Sequence, residues 1–201
     1  FCSNCGYESA KWIGKCSACI EWNTFVEEVI DKGTQPELNW NNYHSEKRTV
    51  KTIALHEVIS KVEKRIDSND AELNRVLGGG IVPGSIILVA GEPGIGKSTL
   101  FLQIGLLMNQ LSILYISGEE SEQQIRMRAE RIGMQNPNCY ILTETSTQNI
   151  FKQIEILNPT IVVIDSIQTM YDAGFPSTPG SIVQVRETAL RIQRYAKQSG
   201  V

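Results

Sequence analysis

The sequence predicts an α/β fold, a parallel sheet flanked by helices, preceded by a small four-cysteine finger. Three observations carry that expectation. Cysteines pair as C-x-x-C at Cys2/Cys5 and again at Cys16/Cys19. A glycine-rich "GEPGIGKS" stretch follows an apolar run and opens a helical pattern. From residue 65 onward, short apolar runs alternate with stretches of helical spacing, the rhythm of β-α-β units.

Size and composition set the limits. A chain of 201 residues suits one medium α/β domain plus a small module. A hydrophobic share of 41% and a charged share of 20% exclude disordered and fibrous classes. The net charge of -3 repels phosphate on average, so any nucleic-acid contact must use local basic patches. No run approaches the roughly 18 apolar residues of a membrane span, and no signal peptide is expected before the first cysteine. The chain opens on Phe1, so a few residues are expected to be missing at its front. Five cysteines beside a nucleotide loop point to a reducing compartment, by default the cytoplasm.

The finger is expected over residues 1–28, which hold too few apolar side chains for a core of their own. Two C-x-x-C knuckles place four thiolates, Cys2, Cys5, Cys16 and Cys19, for tetrahedral coordination of a structural Zn²⁺. The metal then supplies the folding energy. A disulfide pair is disfavoured by the compartment, and a redox C-x-x-C lacks its βαβ context. Trp12 and Trp22 stand beside Lys11 and Lys15. They either stack on single-stranded nucleic acid or pack over the knuckles, and packing is favoured for Trp22.

Residues 29–64 form a linker and lead-in, with the polar run "DKGTQPELNWNNYHSEKR" followed by apolar scatter that reads as a short strand and helix. His44 and His56 lie there without ligand-like neighbours.

The core is expected over 65–201, incomplete at its C-terminal end because "SGV" stops where another strand is due. Strands are expected at 85–90, 112–117, 139–142 and 160–165, with helices between them and a last helix over 181–198. Cys139 reads as a buried core residue.

The loop Gly91, Glu92, Pro93, Gly94, Ile95, Gly96, Lys97, Ser98 fits G-x-x-x-x-G-K-[ST], with a strand pattern before it and a helix pattern after. Glycines let the backbone curl so that successive N–H groups face phosphate oxygens at a helix N-terminus. Lys97 is expected to reach the β- and γ-phosphates of a nucleotide, and the Ser98 hydroxyl to ligate Mg²⁺. Thr99 starts the helix beside the α-phosphate. Asp165 closes the apolar run "TIVVID" at the carboxyl end of a strand, where open parallel sheets bind ligands, and is expected to hold the Mg²⁺ through water.

Hydrolysis needs a group that orients the attacking water. Glu119 and Glu120 stand at the end of the strand in "YISGEES", either as that group or as acidic residues on a helix N-terminus. Gln168 is a candidate γ-phosphate sensor or a solvated loop residue. Arg186, Arg191, Arg194 and Lys197 make a basic stripe on the last helix, and Arg126, Arg128 and Arg131 a second cluster. Solvated faces are the usual explanation for both.

Taken together, "CSNCGYESAKWIGKCSACIEWNTFVEE", "LGGGIVPGSIILVAGEPGIGKSTL", "LYISGEESEQQIRMRAERIG" and "VVIDSIQTMY" resemble the bacterial RadA (Sms) family of DNA repair proteins from end to end. The resemblance implies a RecA-like P-loop ATPase core related to ring-forming helicases. It implies ATP, Mg²⁺ and Zn²⁺ as cofactors and single-stranded or branched DNA as partner. It further implies branch migration of recombination intermediates by a homo-hexamer, working alongside recombinase and replication proteins. It places Glu119 where RecA-like enzymes keep the water-activating carboxylate, with Glu120 in reserve. The sequence departs from the family at Asn74, where Asp is usual, and lacks the T-G pair before it, which puts nucleotide contacts from that turn in doubt. Family members also continue beyond this chain with further core strands, a Lys-Asn-Arg-Phe-Gly motif and a protease-like domain. The alternative is an ATP-gated switch of the KaiC type, whose finger grips a protein.

Overall fold

The computed structural model describes residues 2–7, 9, 11–26, 52–57, 64–175 and 177–201. Three parallel strands form its sheet: β1 (Ile113–Ser117), β2 (Cys139–Thr143) and β3 (Ile161–Asp165), in the order β2-β1-β3. Their ends align, with Ser117 opposite both Thr143 and Asp165. β1 is buried at all five positions, as expected of a central strand covered on both faces.

Alternation along β1 sends its side chains to two cores. Leu114 and Ile116 pack with Ile150, Phe151 and Ile154 of α4 (Thr147–Leu157) and with Met170. Ile192 and Tyr195 of α5 (Ile182–Ser199) close that face. On the opposite face Tyr115 packs with Leu102 and Leu106 of α2 (Lys97–Leu107) and Ile125 of α3 (Glu122–Ile132). Ile113 meets Ile104, Met108 and, through Leu73, the short helix α1 (Ala71–Val76). Each fully buried aliphatic side chain contributes about 1.5–3 kcal/mol, so helices lock the sheet from both sides.

Local signals set the helix ends. Ser121 and Gln124 form a reciprocal capping box on α3, and Gly133 ends that helix with φ 75°. Ser181 caps α5 by accepting from Gln184 N. α4 ends at Asn158 in the left-handed region, φ 48°, which asparagine tolerates.

The expected strand over 85–90 is not one. Those residues carry no ladder and are exposed, with Leu88 at 79%. An isolated strand has no stability of its own, and among the described residues none pairs with this run. Of the linker and lead-in, only a single 3-10 turn at Leu55–Glu57 carries regular structure among the described residues. Residues 29–51 and 58–63, His44 included, lie outside the described residues. Cys139 begins β2 and is only partly buried, because β2 is an edge strand of the described sheet.

Candidate nucleotide site and metal finger

The glycine-rich loop runs straight into α2. Gly94 and Gly96 adopt φ 80° and 100°, a region open to glycine and strained for other residues, and Gly96 occupies the N-cap without a side-chain cap. The first N–H groups of α2 are therefore free of side-chain capping at the point where a phosphate would sit. Lys97 folds back over the loop, its Nζ donating to Gly91 O and Glu92 O at 2.8 Å each. Residues 91–96 are exposed, while Lys97 and Ser98 are half-buried.

Asp165 ends β3 on the face that looks toward α2. Tyr115 lies diagonally below it on β1, opposite Val163, and its side chain leans along the strand. The phenol O–H donates to Asp165 Oδ2 at 2.6 Å and lies 3.4 Å from Ser98 O. One buried hydroxyl thus brings together the two residues expected to hold Mg²⁺. Burial and the hydrogen bond to Asp165 both push the Tyr115 phenol well above its ordinary value, so it stays a neutral donor. A carboxylate and a hydroxyl are hard oxygen donors, the set that suits Mg²⁺. The residues fit the ion.

The two glutamates separate. Ser166, next to Asp165, donates its hydroxyl to Glu119 Oε1 at 2.9 Å, and Glu119 is exposed on the ligand edge. Glu120 is held by Arg128, whose Nη2 donates to Glu120 Oε1, and its Oε2 is buried without a partner. Arg128 is therefore no part of a solvated basic face. Gly118, between β1 and these residues, packs so closely that an added Cβ would lie 2.1 Å from Thr169 Oγ1. Gly118, Thr145, Gln168, Thr169 and Gly180 line an open cleft of about 740 Å³ along the same edge, with Gln168 exposed.

Arg191 likewise leaves the expected stripe. It pairs with the fully buried Asp172 at 2.5 Å and lies over the Phe175 ring at 4.8 Å. Asp172 also accepts from Thr147 Oγ1 and Gly174 N. Gln184 is buried and donates to the carbonyls of Asp172, Phe175 and Ser177 while accepting from Asp172 N. These bonds fasten the segment after β3 to α5. Arg186, Arg194 and Lys197 remain exposed. Asn74 braces the turn before α1, where its Oδ1 accepts from Ser68 N and Oγ and its Nδ2 donates to Asp67.

In the finger, the four sulfurs lie within 4.8 Å of one another. Cys2 and Cys19 Sγ are 3.6 Å apart, and Cys5 and Cys16 Sγ 3.5 Å. A zinc–sulfur bond of about 2.3 Å puts tetrahedral ligands about 3.8 Å apart, so the cluster fits the ion closely. The electrostatics agree. Burial raises the Cys2 thiol, but the Thr24 hydroxyl and the N–H groups of Cys5 and Asn4 outweigh it and bring it to about 6. The Tyr7 N–H favours a Cys5 thiolate, yet burial and the neighbouring sulfurs push Cys5 up to about 12. Four sulfurs crowd together at this point, and a dication that bound them as thiolates would relieve the repulsion between them.

The tryptophans do not pack over the knuckles. Trp12 and Trp22 are each 67% exposed, flanking Gly14, with Lys15 Nζ 5.5 Å from the Trp22 ring. The finger's small core is instead Cys2, Cys16 and Phe25, because a four-sulfur site needs little else. Sequence reasoning missed Tyr115, Ser166, Asp172 and Gln184. Only Tyr115 left a local trace, one phenol in the otherwise aliphatic start of "ILYIS".

Two family models match the chain. Residues 1–27 match the rubredoxin metal binding domain, and residues 52–194 match the AAA domain. The chain is 45% identical to the DNA repair protein RadA of Bacillus subtilis, covering 100% of this chain and 44% of that protein. The RadA of Halalkalibacterium halodurans is 48% identical, again over 100% of this chain and 44% of the relative. For the RadA of Escherichia coli the identity is 43%, with the same two shares. The chain therefore spans less than half the length of these relatives. With a RecA-like sheet, a phosphate loop opening α2 and a four-cysteine zinc ribbon in one chain, this protein belongs to the AAA domain family, in the line of the RadA DNA repair proteins.

Proposed function

We propose that this chain is the zinc-finger and ATP-hydrolysing portion of a DNA-dependent ATPase in recombinational DNA repair. In that reading residues 1–28 are the finger, 29–64 the linker and lead-in, and 65–201 the ATPase core. The whole protein binds single-stranded or branched DNA and drives branch migration as a homo-hexamer in the cytoplasm, beside recombinase and replication proteins. No described helix is long and apolar enough to cross a membrane.

The observation that carries the reading is the convergence of Ser98, Asp165 and Glu119 on one end of the sheet through Tyr115 and Ser166, with Lys97 preceding Ser98 at the start of α2. The loop 91–96 binds the phosphates with its N–H groups, and Lys97 leaves its carbonyl partners to meet the β- and γ-oxygens. Ser98 directly and Asp165 through water would hold Mg²⁺, which when bound neutralises charge on the phosphates. Glu119, steadied by Ser166, orients water and accepts its proton.

Hydrolysis of ATP by the full-length protein, measured with and without single-stranded DNA, tests the function. Stimulation by DNA, lost together with hydrolysis in Lys97→Ala, is expected. Hydrolysis indifferent to DNA and accompanied by tight binding of a protein partner would favour the KaiC-type switch. The exposed Trp12–Trp22 pair beside Lys15 is the feature that supports that second reading, since such a surface serves a protein as readily as a base stack.

A further inference from the structure

We propose that Tyr115 is a positioning residue of the nucleotide site: its hydroxyl holds the Asp165 carboxylate in the orientation that receives Mg²⁺ and ties it to the first turn of α2. The inference rests on the reading of Asp165 as a metal-holding residue.

Tyr115 is fully buried in the middle of β1. Its ring belongs to the cluster of Leu102, Leu106 and Ile125, a setting that phenylalanine would fill equally well. The hydroxyl is therefore superfluous for packing. A buried hydroxyl without a partner is costly, and this one has a single close partner, Asp165 Oδ2 at 2.6 Å. In that bond the phenol O–H donates and the carboxylate oxygen accepts. Among the described residues Asp165 Oδ1 makes no hydrogen bond, so one oxygen is anchored and the other remains for a ligand. Ser98 O, 3.4 Å from the same hydroxyl, puts the anchor at the start of the phosphate-loop helix. Tyr115 thus spans β1, β3 and α2 with one side chain, and Asp165 cannot rotate away without breaking a charge-assisted bond.

Groups of this kind behind a metal ligand typically change metal affinity by about 10- to 100-fold. The test uses the full-length protein in three forms, unsubstituted, Tyr115→Phe and Asp165→Asn. Binding of a fluorescent ATP analogue is titrated with Mg²⁺ and repeated in chelator, and bound Mn²⁺ is followed by electron paramagnetic resonance.

For Tyr115→Phe the Mg²⁺ concentration at half-saturation should rise about tenfold and the Mn²⁺ signal should change, with nucleotide affinity in chelator unchanged. A Tyr115→Phe titration that overlays the unsubstituted protein, while Asp165→Asn shifts strongly, would leave the hydroxyl a packing detail and overturn the proposal. An equal loss of affinity in Mg²⁺ and in chelator would also overturn it, because the effect would then be general loosening of the core. No shift in Asp165→Asn would remove the underlying site reading itself, a result distinguishable from failure at Tyr115 alone.

Discussion

Ser166 donates its hydroxyl to Glu119 Oε1 at 2.9 Å, while the adjacent Glu120 is taken by Arg128 of α3. Two neighbouring carboxylates of one type therefore have two fates. Glu119→Gln should cut ATP hydrolysis by about 100-fold or more and leave nucleotide affinity unchanged, as expected for a residue acting on the water. Glu120→Gln should hydrolyse ATP far better than Glu119→Gln but unfold more easily, by about 1–3 kcal/mol, for loss of a partly buried charged bond. Turnover and denaturant midpoints on both variants decide; hydrolysis lost only in the Glu120 variant would reverse the assignment.

The finger is expected to depend on its metal for folding. Full-length protein should carry one zinc in the four-cysteine site, and Cys5→Ser or Cys16→Ser should release it. Stripping the metal should collapse the amide resonances of residues 2–26 and spare those of β1–β3, because Cys2, Cys16 and Phe25 alone bury too little to hold a fold. Retention of dispersed finger signals in strong chelator would contradict this.

Gln184 makes four hydrogen bonds from one buried side chain, three of them to carbonyls of the segment after β3. Gln184→Leu keeps the approximate volume and strands those groups, so stability should fall by about 2–4 kcal/mol. Arg191→Ala should act on the same segment, since it leaves the buried Asp172 carboxylate with only neutral donors. Denaturant unfolding measures both. A change below about 0.5 kcal/mol in Gln184→Leu would mean the clamp is dispensable.

Glu144 caps the entry to α4, accepting from Ser146 N, Asn149 Nδ2 and Thr145 N. The Ser146 N–H, with Asn149 and Thr145, holds its carboxyl below the usual glutamate range. A lowered folded-state value means a contribution that is full above the unfolded value of about 4.3 and lost as pH falls through the folded one. Glu144→Gln should therefore flatten the acid limb of the stability profile below about pH 5. An unchanged slope would show that the cap carries no charge dependence.

Legibility in the sequence followed the range of the interactions involved. The phosphate loop was readable because its geometry is local: glycines at fixed offsets allow the positive φ at Gly94 and Gly96, and the helix starts at the next residue. The zinc site was readable for the same reason, since two short knuckles carry all four ligands. The run 85–90 has the composition of a strand, yet a strand exists only through a neighbour's hydrogen bonds, and composition does not supply the neighbour. Trp22 misled because bulky aromatics usually pack, whereas a metal core leaves it outside.

By itself the sequence determined which local features this protein carries: a glycine-rich turn of the phosphate-loop pattern, an aspartate closing an apolar run and a four-cysteine ribbon. Each is written within one short stretch of chain, so short-range sterics and coordination suffice to specify it. Only the tertiary structure decided that Glu119 is exposed beside Ser166 while Glu120 is paired, that Arg128 and Arg191 are structural partners of acids, and that Tyr115 stands between Ser98 and Asp165. Those outcomes depend on the register of β1 against β3 and on helices packed across the sheet. Such contacts join residues far apart in the chain, and no local pattern encodes them.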